Sequence, residues 1–220
     1  MIKENIIRLR SLIPQYVTIV AVSKGRSVEE IKEAIEAGIA DIGENKVQEA
    51  LLKYNELITH NSELLTLKWH MVGHLQTNKV RDAVKIFDLI QSVDSIRLAR
   101  EIDKEAAKIN KVQDILIEVK TSEEATKFGM PAEQVAEAIK EIGKLKNINI
   151  QGLMTIAPLV SEAEESRPYF RQLKELRNKI ISLGFRISDL EFVSMGMTDD
   201  YKVAIEEGSN MVRIGRAIFS

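Results

Sequence analysis

Eight short apolar runs, spaced along the whole chain, are the feature that most constrains its fold. They lie at residues 16–23, 39–44, 68–73, 87–93, 114–120, 149–155, 190–196 and 211–219, and most are rich in β-branched side chains. The segments between them, such as "SVEEIKEAIEAG", carry apolar residues at every third or fourth position, which is typical of amphipathic helices. Strands that are apolar throughout and alternate with helices indicate a parallel sheet that is covered on both faces.

The number of predicted strands favours a closed barrel. Eight βα steps in 220 residues fit a (β/α)8 TIM barrel with an extra amino-terminal helix at about residues 2–13. An open, doubly wound sheet is the competing architecture. The first crossover helix should begin at Ser27, with Glu29 and Glu30 in its first turn, and end at Gly38. No linker-like change of composition occurs, so we expect one domain over residues 1–220.

The composition narrows the possible functions. The chain has no cysteine, which excludes disulfides, thiolate metal sites and a cysteine nucleophile. Its formal net charge of −2 gives no general attraction to nucleic acid or to anionic membranes. The amino terminus lacks the apolar core of a secretory signal, and no run is long enough to span a membrane. We therefore expect a cytoplasmic protein that binds neither nucleic acid nor membrane, with a monomer as the default state.

Polar residues collect where the predicted strands end, which is where TIM barrels place their active sites. These positions are Lys24, Glu44, Asn45, His74, Asp94, Lys120, Thr155, Ser194, Gly196, Arg213 and Gly215. Lys24 follows the run "YVTIVAVS" and has two interpretations. It is either a solvated lysine that begins a loop, or a lysine at the barrel mouth whose charged form is disfavoured by partial desolvation. An amine with an accessible neutral form can form a Schiff base with an aldehyde.

The last two strands suggest a place for a phosphate. In "VSMGMTDDYKVAI" a strand ends at Ser194–Gly196 and a helix should start at about Thr198 or Asp199, so that backbone amides and a glycine come together. A second glycine, Gly215, lies in "RIGRA". An ordinary βα turn is the alternative. Arg213 shares its side-chain parity with Gly215 and needs a partner, either a barrel carboxylate or a ligand.

The histidines do not suggest a metal site. His70 and His74 are four residues apart, on a strand and the turn that follows it, and no zinc-protease carboxylate motif accompanies them. We expect structural or ligand-packing roles for both, and no metal.

Several of these segments closely resemble one known family. "AVSKGRSVEEIKEAIEAGIADIGENKVQEA", "WHMVGHLQTNK", "GLMTIAP" and "SMGMTDDYKVAIEEGSNMVRIGRAIF" resemble, in this order, the pyridoxal phosphate homeostasis protein family. This family is also called the YggS or PROSC family, and it is related to the amino-terminal barrel domain of alanine racemase. The resemblance covers about residues 5–219 and implies a fold-type III pyridoxal phosphate (PLP) barrel.

The resemblance also implies roles for individual residues. Lys24 would be the Schiff-base lysine, Asn45 and His70 would lie near the cofactor, and Arg213 would face the pyridine nitrogen. The phosphate cradle would consist of Ser194, Gly196, Gly215 and Arg216, with Arg216 contributing its backbone amide. Met154 and Met197, in "GLMTIAP" and "SMGMTDD", are further expected cofactor contacts. His74 stands where many members carry proline and receives no cofactor role.

The expected function is therefore to hold PLP with little or no turnover. An arginine beside the ring nitrogen disfavours its protonation and weakens the ring as an electron sink. The resemblance implies buffering, storage or delivery of PLP, with PLP-dependent apo-enzymes as possible recipients. A small PLP-dependent racemase or lyase is the alternative, which would need a second acid or base opposite Lys24. None of the four tyrosines, Tyr16, Tyr54, Tyr169 and Tyr201, ends a predicted strand. A third possibility is an aldolase that forms Schiff bases with sugar phosphates.

Overall fold

The chain folds into a closed barrel of eight parallel strands surrounded by helices. A computed structural model describes residues 1–60, 66–122, 124, 128–185 and 190–220. Its strands are β1 (Thr18–Val22), β2 (Asp41–Glu44), β3 (Lys68–Met71), β4 (Leu89–Val93), β5 (Gln113–Lys120), β6 (Met130–Pro131), β7 (Ile148–Met154), β8 (Phe192–Ser194) and β9 (Met211–Ile214). The sheet order is β4-β3-β2-β1-β9-β8-β7-β5, and β4 also pairs with β5, which closes the barrel. The predicted TIM barrel is confirmed, and the open sheet is excluded.

Helices follow the barrel strands and cover their outer face. They are α1 (Ile2–Leu12), α2 (Val28–Glu36), α3 (Val47–His60), α4 (Val80–Ile86), α5 (Ile96–Ala107), α6 (Ala132–Ile142), α7 (Arg167–Ser182), α8 (Tyr201–Glu206) and α9 (Arg216–Phe219). The extra helix α1 matches the expected residues 2–13 and packs against α2 and α9. None of the helices in the described part of the chain is long and apolar enough to cross a membrane.

The start of α2 is fixed by a capping box, as the sequence predicts. The Ser27 hydroxyl accepts a hydrogen bond from the Glu30 amide at 3.2 Å, and the Glu30 carboxylate accepts one from the Ser27 amide at 2.8 Å. Two amides that the first helical turn leaves without partners are thereby satisfied, which is worth about 1 kcal/mol. The same contact fixes the direction in which the chain leaves the Lys24 loop.

The structure corrects two predicted boundaries near the carboxyl terminus. The last strand was expected to continue to residue 219, but it ends at Ile214, and the amides of Ile218 and Phe219 donate to the Gly215 carbonyl in α9. A short apolar run fits a buried helical turn as well as a strand, so periodicity alone did not separate the two. Helix α8 begins at Tyr201, after a turn, rather than at about Thr198 or Asp199. The predicted strands did not include the two-residue β6, which pairs with the end of β5.

The barrel has an inner core that is distinct from the layer between sheet and helices. Val20, Val72, Leu89, Leu116, Met154 and Met211 form this inner cluster. Because successive residues of a strand point to opposite faces, the residues of the same parity further along each strand also point inward, toward the barrel mouth. The inner cluster therefore forms the floor beneath the strand ends where a site was expected.

Candidate functional site

A pocket opens at the carboxyl ends of β1, β2, β8 and β9. It has a volume of about 380 Å3, and its lining comprises Val22, Lys24, Arg26, Asn45, Val72, Ile156, Leu159, Met197, Thr198, Asp199, Arg213, Gly215 and Arg216. We call it the Lys24 pocket. Four of these side chains are cationic and only one is a carboxylate, so the pocket favours an anionic ligand. The site was predicted for this end of the barrel.

Lys24 lies at the rim of this pocket, directly after β1. Its side chain is exposed, so the partial desolvation that one of the two interpretations required is not a feature of the structure. The next residue, Gly25, has a φ of +70°, a conformation that glycine adopts at little cost. The chain turns sharply here, and the Lys24 amine is accessible from solvent.

The backbone around Lys24 is held by a buried ionic cluster. Lys53 Nζ, on α3, donates to the Ser23 carbonyl at 2.6 Å and to the carboxylates of Glu44 and Glu49, both at 2.7 Å. Glu49 in turn accepts a hydrogen bond from the Gly25 amide at 2.6 Å, and the Ser23 hydroxyl donates to Glu44 at 2.5 Å. The residues on both sides of Lys24 are thus fixed to β2 and α3.

The two carboxylates of this cluster have different electrostatic environments. Glu44 is fully buried, and its desolvation raises its pKa despite the hydrogen bonds from Lys53 and Ser23. Burial alone would also raise the pKa of Glu49, but its hydrogen bonds from Lys53 and the Gly25 amide lower it. Lys53 was not predicted as part of the site. A glutamate four residues before a lysine on one helix face was the available indication.

Arg213 forms one wall of the pocket from its place on β9. Its guanidinium is 4% exposed and donates to the Ser194 hydroxyl at 2.6 Å and to the Thr155 carbonyl at 2.8 Å. Both acceptors are neutral, and among the described residues no carboxylate lies within ion-pairing distance of it. Burial lowers the pKa of Arg213 to about 10, so it remains a cation at neutral pH. The predicted barrel carboxylate is not its direct partner, and N–H groups remain for a ligand.

Glu118, on β5, is a buried acid near Arg213 that the sequence analysis missed. It is 4% exposed, and its Oε2 atom has no hydrogen-bond partner among the described residues. The pKa of Glu118 is raised to about 7, chiefly by burial and also by the negative charge of Asp94, while the positive charge of Arg213 opposes both. An acid within an apolar strand, two residues before Lys120 and so of the same parity, was the indication that could have revealed it.

The loops after β8 and β9 meet at the other side of the pocket. Gly196 has a φ of +92°, and a Cβ there would lie 2.5 Å from the Ala204 Cβ, so the loop depends on glycine at this position. The Met197 amide donates to Asp200 at 2.6 Å. Arg216, at the start of α9, is exposed and pairs with Asp199. The expected phosphate cradle therefore has cationic side chains as well as the backbone of Gly215.

Asn45 and His74 occupy neighbouring positions on the rim. Asn45 follows β2 and is half-buried, with Gly73 packed so closely that a Cβ there would lie 2.5 Å from the Asn45 carbonyl oxygen. His74 stacks on Phe128 with ring centroids 3.8 Å apart and contacts Asp94 at 3.3 Å. It lies outside the residues that line the Lys24 pocket, and the family resemblance gave it no cofactor role.

The structure brings six of the ten predicted site residues together and places four elsewhere. The six that line the pocket are Lys24, Asn45, Met197, Arg213, Gly215 and Arg216. Met154 is fully buried in the inner cluster beneath the pocket. Gly196 supports the loop from behind, against α8. The Ser194 hydroxyl is fully buried and bonded to Arg213 and Gln91, so it points into the barrel rather than to a phosphate.

The expected place of His70 also needs correction. Its ring is 2% exposed and is bonded to Asp41 at 2.9 Å and to Gln91 at 2.9 Å. Asp41 is the first residue of β2, so His70 faces the opposite end of the barrel, where it lines a separate cavity with Thr18 and Lys68. Its side chain lies inside the barrel, but the ring is directed toward Asp41 at the start of β2 and away from the mouth.

Comparison with known proteins gives a consistent result. Residues 1–220 match the family described as "Alanine racemase, N-terminal domain". The pyridoxal phosphate homeostasis protein of Aquifex aeolicus is 44% identical over 197 residues, which cover 90% of this chain and 83% of the relative. PipY of Synechococcus elongatus PCC7942 has been solved without and with PLP. The two structures have TM-scores of 0.92 and 0.90 and sequence identities of 35% and 34%, and in both the match covers 100% of each chain. The chain belongs to the pyridoxal phosphate homeostasis protein family, which has the barrel of the alanine racemase N-terminal domain.

Proposed function

We propose that this chain binds pyridoxal 5'-phosphate in the Lys24 pocket and takes part in intracellular PLP homeostasis, by buffering, storing or delivering the cofactor. The observation that carries the proposal is that one pocket contains an accessible primary amine, a buried guanidinium with free N–H groups and a cationic loop beside Gly215. PLP supplies an aldehyde that condenses with amines and a ring that can accept electrons. PipY, which was solved with PLP bound, supports the same ligand for this chain.

Different residues of the pocket would bind different parts of PLP. Lys24 Nζ is the amine that forms the Schiff base, and the ionic cluster around Lys53 fixes the backbone that carries it. The amide of Gly215 and the side chains of Arg216 and Arg26 favour the phosphate. Arg213, in the wall of the pocket, would be the cation available to the pyridine ring. Apolar side chains on the floor, such as Val72, leave room for a flat ring.

The same geometry supports holding the cofactor rather than turning over a substrate. Arg213 stays charged at neutral pH and disfavours a proton on any acceptor nitrogen that faces it. The described residues that line the Lys24 pocket include no tyrosine or histidine, and His74, which lines the adjoining cavity together with Lys24, is stacked on Phe128 and contacts Asp94. Because Lys24 is exposed, an amine from solvent would have access to the aldehyde carbon of a cofactor bound to Lys24. Exchange with such an amine is the chemistry that delivery to an apo-enzyme requires.

The proposal is tested by visible absorption spectra of the purified protein titrated with PLP. We expect the wild type to develop a Schiff-base band that Lys24→Ala lacks. Lys46→Ala is the matched control, because Lys46 is an exposed lysine on the neighbouring rim and should leave the band unchanged. Equal bands in the wild type and Lys24→Ala, or none in either, would overturn the assignment of Lys24.

Two other functions predict different results in the same samples. A racemase or lyase would convert amino acids when PLP is bound, whereas the homeostasis proposal predicts release of the cofactor to added amines with little turnover. An aldolase would react with a sugar phosphate and borohydride without becoming coloured by PLP. Relatives that are named pyridoxal phosphate homeostasis proteins favour the homeostasis proposal over both of these alternatives.

A further inference from the structure

A line of hydrogen-bonded side chains crosses the barrel interior from the amino ends of the strands to the Lys24 pocket. It connects Asp41, His70, Gln91, Ser194 and Arg213, with successive distances of 2.9, 2.9, 2.7 and 2.6 Å. All but Asp41 are at least nine-tenths buried. The five residues belong to five different strands, β2, β3, β4, β8 and β9, so the line forms only in the closed barrel.

The two ends of this line and the orientation of the Gln91 amide together fix the direction of every hydrogen bond in it. The Arg213 guanidinium can only donate, so the Ser194 oxygen accepts from it and the Ser194 hydroxyl donates to Gln91 Oε1. The Gln91 amide group then donates to His70 Nδ1. His70 is consequently neutral, with its proton on Nε2, from which it donates to the Asp41 carboxylate.

A separate contact supports this orientation of the Gln91 amide. Gln91 Nε2 lies 3.2 Å from the Met211 sulfur, a weak acceptor. With the amide reversed, its oxygen would face the sulfur and its NH2 group would face Ser194. The Ser194 oxygen would then receive two donors, and its own proton would lose Gln91 as an acceptor. Reversal at Gln91 would therefore disturb the partner of Arg213.

We infer that Gln91, His70 and Asp41 are positioning residues that hold the Arg213 guanidinium in its orientation toward the pocket. Arg213 has no direct carboxylate partner among the described residues, and its two acceptors are a hydroxyl and a backbone carbonyl. Only the hydroxyl can rotate, and the line to Asp41 determines where it points. The importance of this orientation for PLP rests on the proposed function, but the positioning itself does not.

The first test uses the protein without PLP and follows side-chain nitrogens by NMR. The chain has three histidines, so the variant His60→Gln/His74→Gln leaves His70 as the single imidazole. We expect Nε2 to be protonated and Nδ1 to be unprotonated. The Arg213 side-chain signal, assigned by its loss in Arg213→Lys, should shift in Gln91→Met. A proton on His70 Nδ1, or an Arg213 signal that Gln91→Met leaves unchanged, would overturn the inference.

A matched substitution separates positioning from a loss of packing. Gln113 is also fully buried in a barrel strand, and it donates to the Asp88 carbonyl outside the line. Gln113→Met should lower stability as Gln91→Met does, without moving the Arg213 signal. With PLP, Gln91→Met should raise the Kd about tenfold, the size expected for one hydrogen bond to a charged group, and shift the absorption maximum of the bound cofactor.

The results distinguish failure of the inference from failure of the proposed function. Wild type that binds no PLP would contradict the proposed function, and the NMR comparison would still decide the positioning role. If the wild type binds PLP but Gln91→Met and Gln113→Met have the same Kd, absorption maximum and Arg213 signal, only the positioning role is overturned. The positioning role is supported if the Arg213 signal, the Kd and the absorption spectrum change in Gln91→Met and not in Gln113→Met.

Discussion

The buried carboxyl of Glu118 should make the stability of this protein depend on pH. The structure raises the pKa of Glu118 from its ordinary value of 4.5 to about 7, chiefly because the group is desolvated. Between these two values the folded chain keeps a proton that the unfolded chain releases. The folded state therefore loses stability as the pH rises from about 4.5 to 7. A tenfold change in proton affinity is worth about 1.4 kcal/mol, so the full effect is about 3 kcal/mol.

Glu118→Gln removes this ionisation while keeping the size and polarity of the side chain. We expect the variant to exceed the wild type in unfolding free energy by less than ~1 kcal/mol at pH 5 and by about 3 kcal/mol at pH 8. Urea unfolding followed by circular dichroism, at a series of pH values without PLP, measures this difference. The control is Glu175→Gln, which makes the same chemical change at an exposed position on α7, outside the barrel interior.

The opposite slope would refute the reasoning. If Glu118→Gln were less stable than the wild type at pH 8 and equal to it at pH 5, Glu118 would be ionised in the folded state and held by Arg213. A difference that did not change with pH would show that the desolvation of Glu118 is not the dominant effect. Either result would revise the electrostatic description of the barrel interior beneath the pocket.

Two further predictions concern the scaffold around the pocket. Lys53→Met leaves the fully buried Glu44 without its cation and should lower the unfolding free energy by about 3 kcal/mol. Lys53→Met/Glu44→Gln should recover part of this stability, as measured by urea unfolding. Gly196→Ala introduces a Cβ 2.5 Å from the Ala204 Cβ at a positive φ and should cost about 3 kcal/mol. Gly184→Ala, at a similar φ with open space around it, should cost only about 1 kcal/mol, and equal melting temperatures for these two variants would contradict the steric argument.

Strand number and position could be predicted from the sequence because the barrel strands are buried on both faces. Eight continuous apolar runs match the eight barrel strands, and Ser27 marks the start of α2. The limit appears at the carboxyl terminus. "RAIF" is apolar enough for a strand, but Gly215 begins a helical turn there, and only tertiary packing distinguishes the two.

The sequence could indicate which residues lie near the carboxyl ends of the strands, but not which way each of their side chains points. Lys24 and Arg213 follow from the strand ends. The family resemblance brought His70 into the prediction and a predicted strand end brought in Ser194, but the His70 ring is bonded to Asp41 at the start of β2 and the Ser194 hydroxyl is bonded to Gln91 and Arg213. The line through Gln91 joins residues that are far apart in the sequence, so no local pattern indicates it.

The most direct test of the central claim is to locate the lysine to which PLP becomes attached. Wild-type protein is loaded with PLP, reduced with borohydride, digested and mapped by tandem mass spectrometry. We expect the phosphopyridoxyl group on Lys24 in stoichiometric amount, and no specific adduct in Lys24→Ala. A specific adduct on Lys46 or Lys120, or labelling spread evenly over surface lysines, would contradict it.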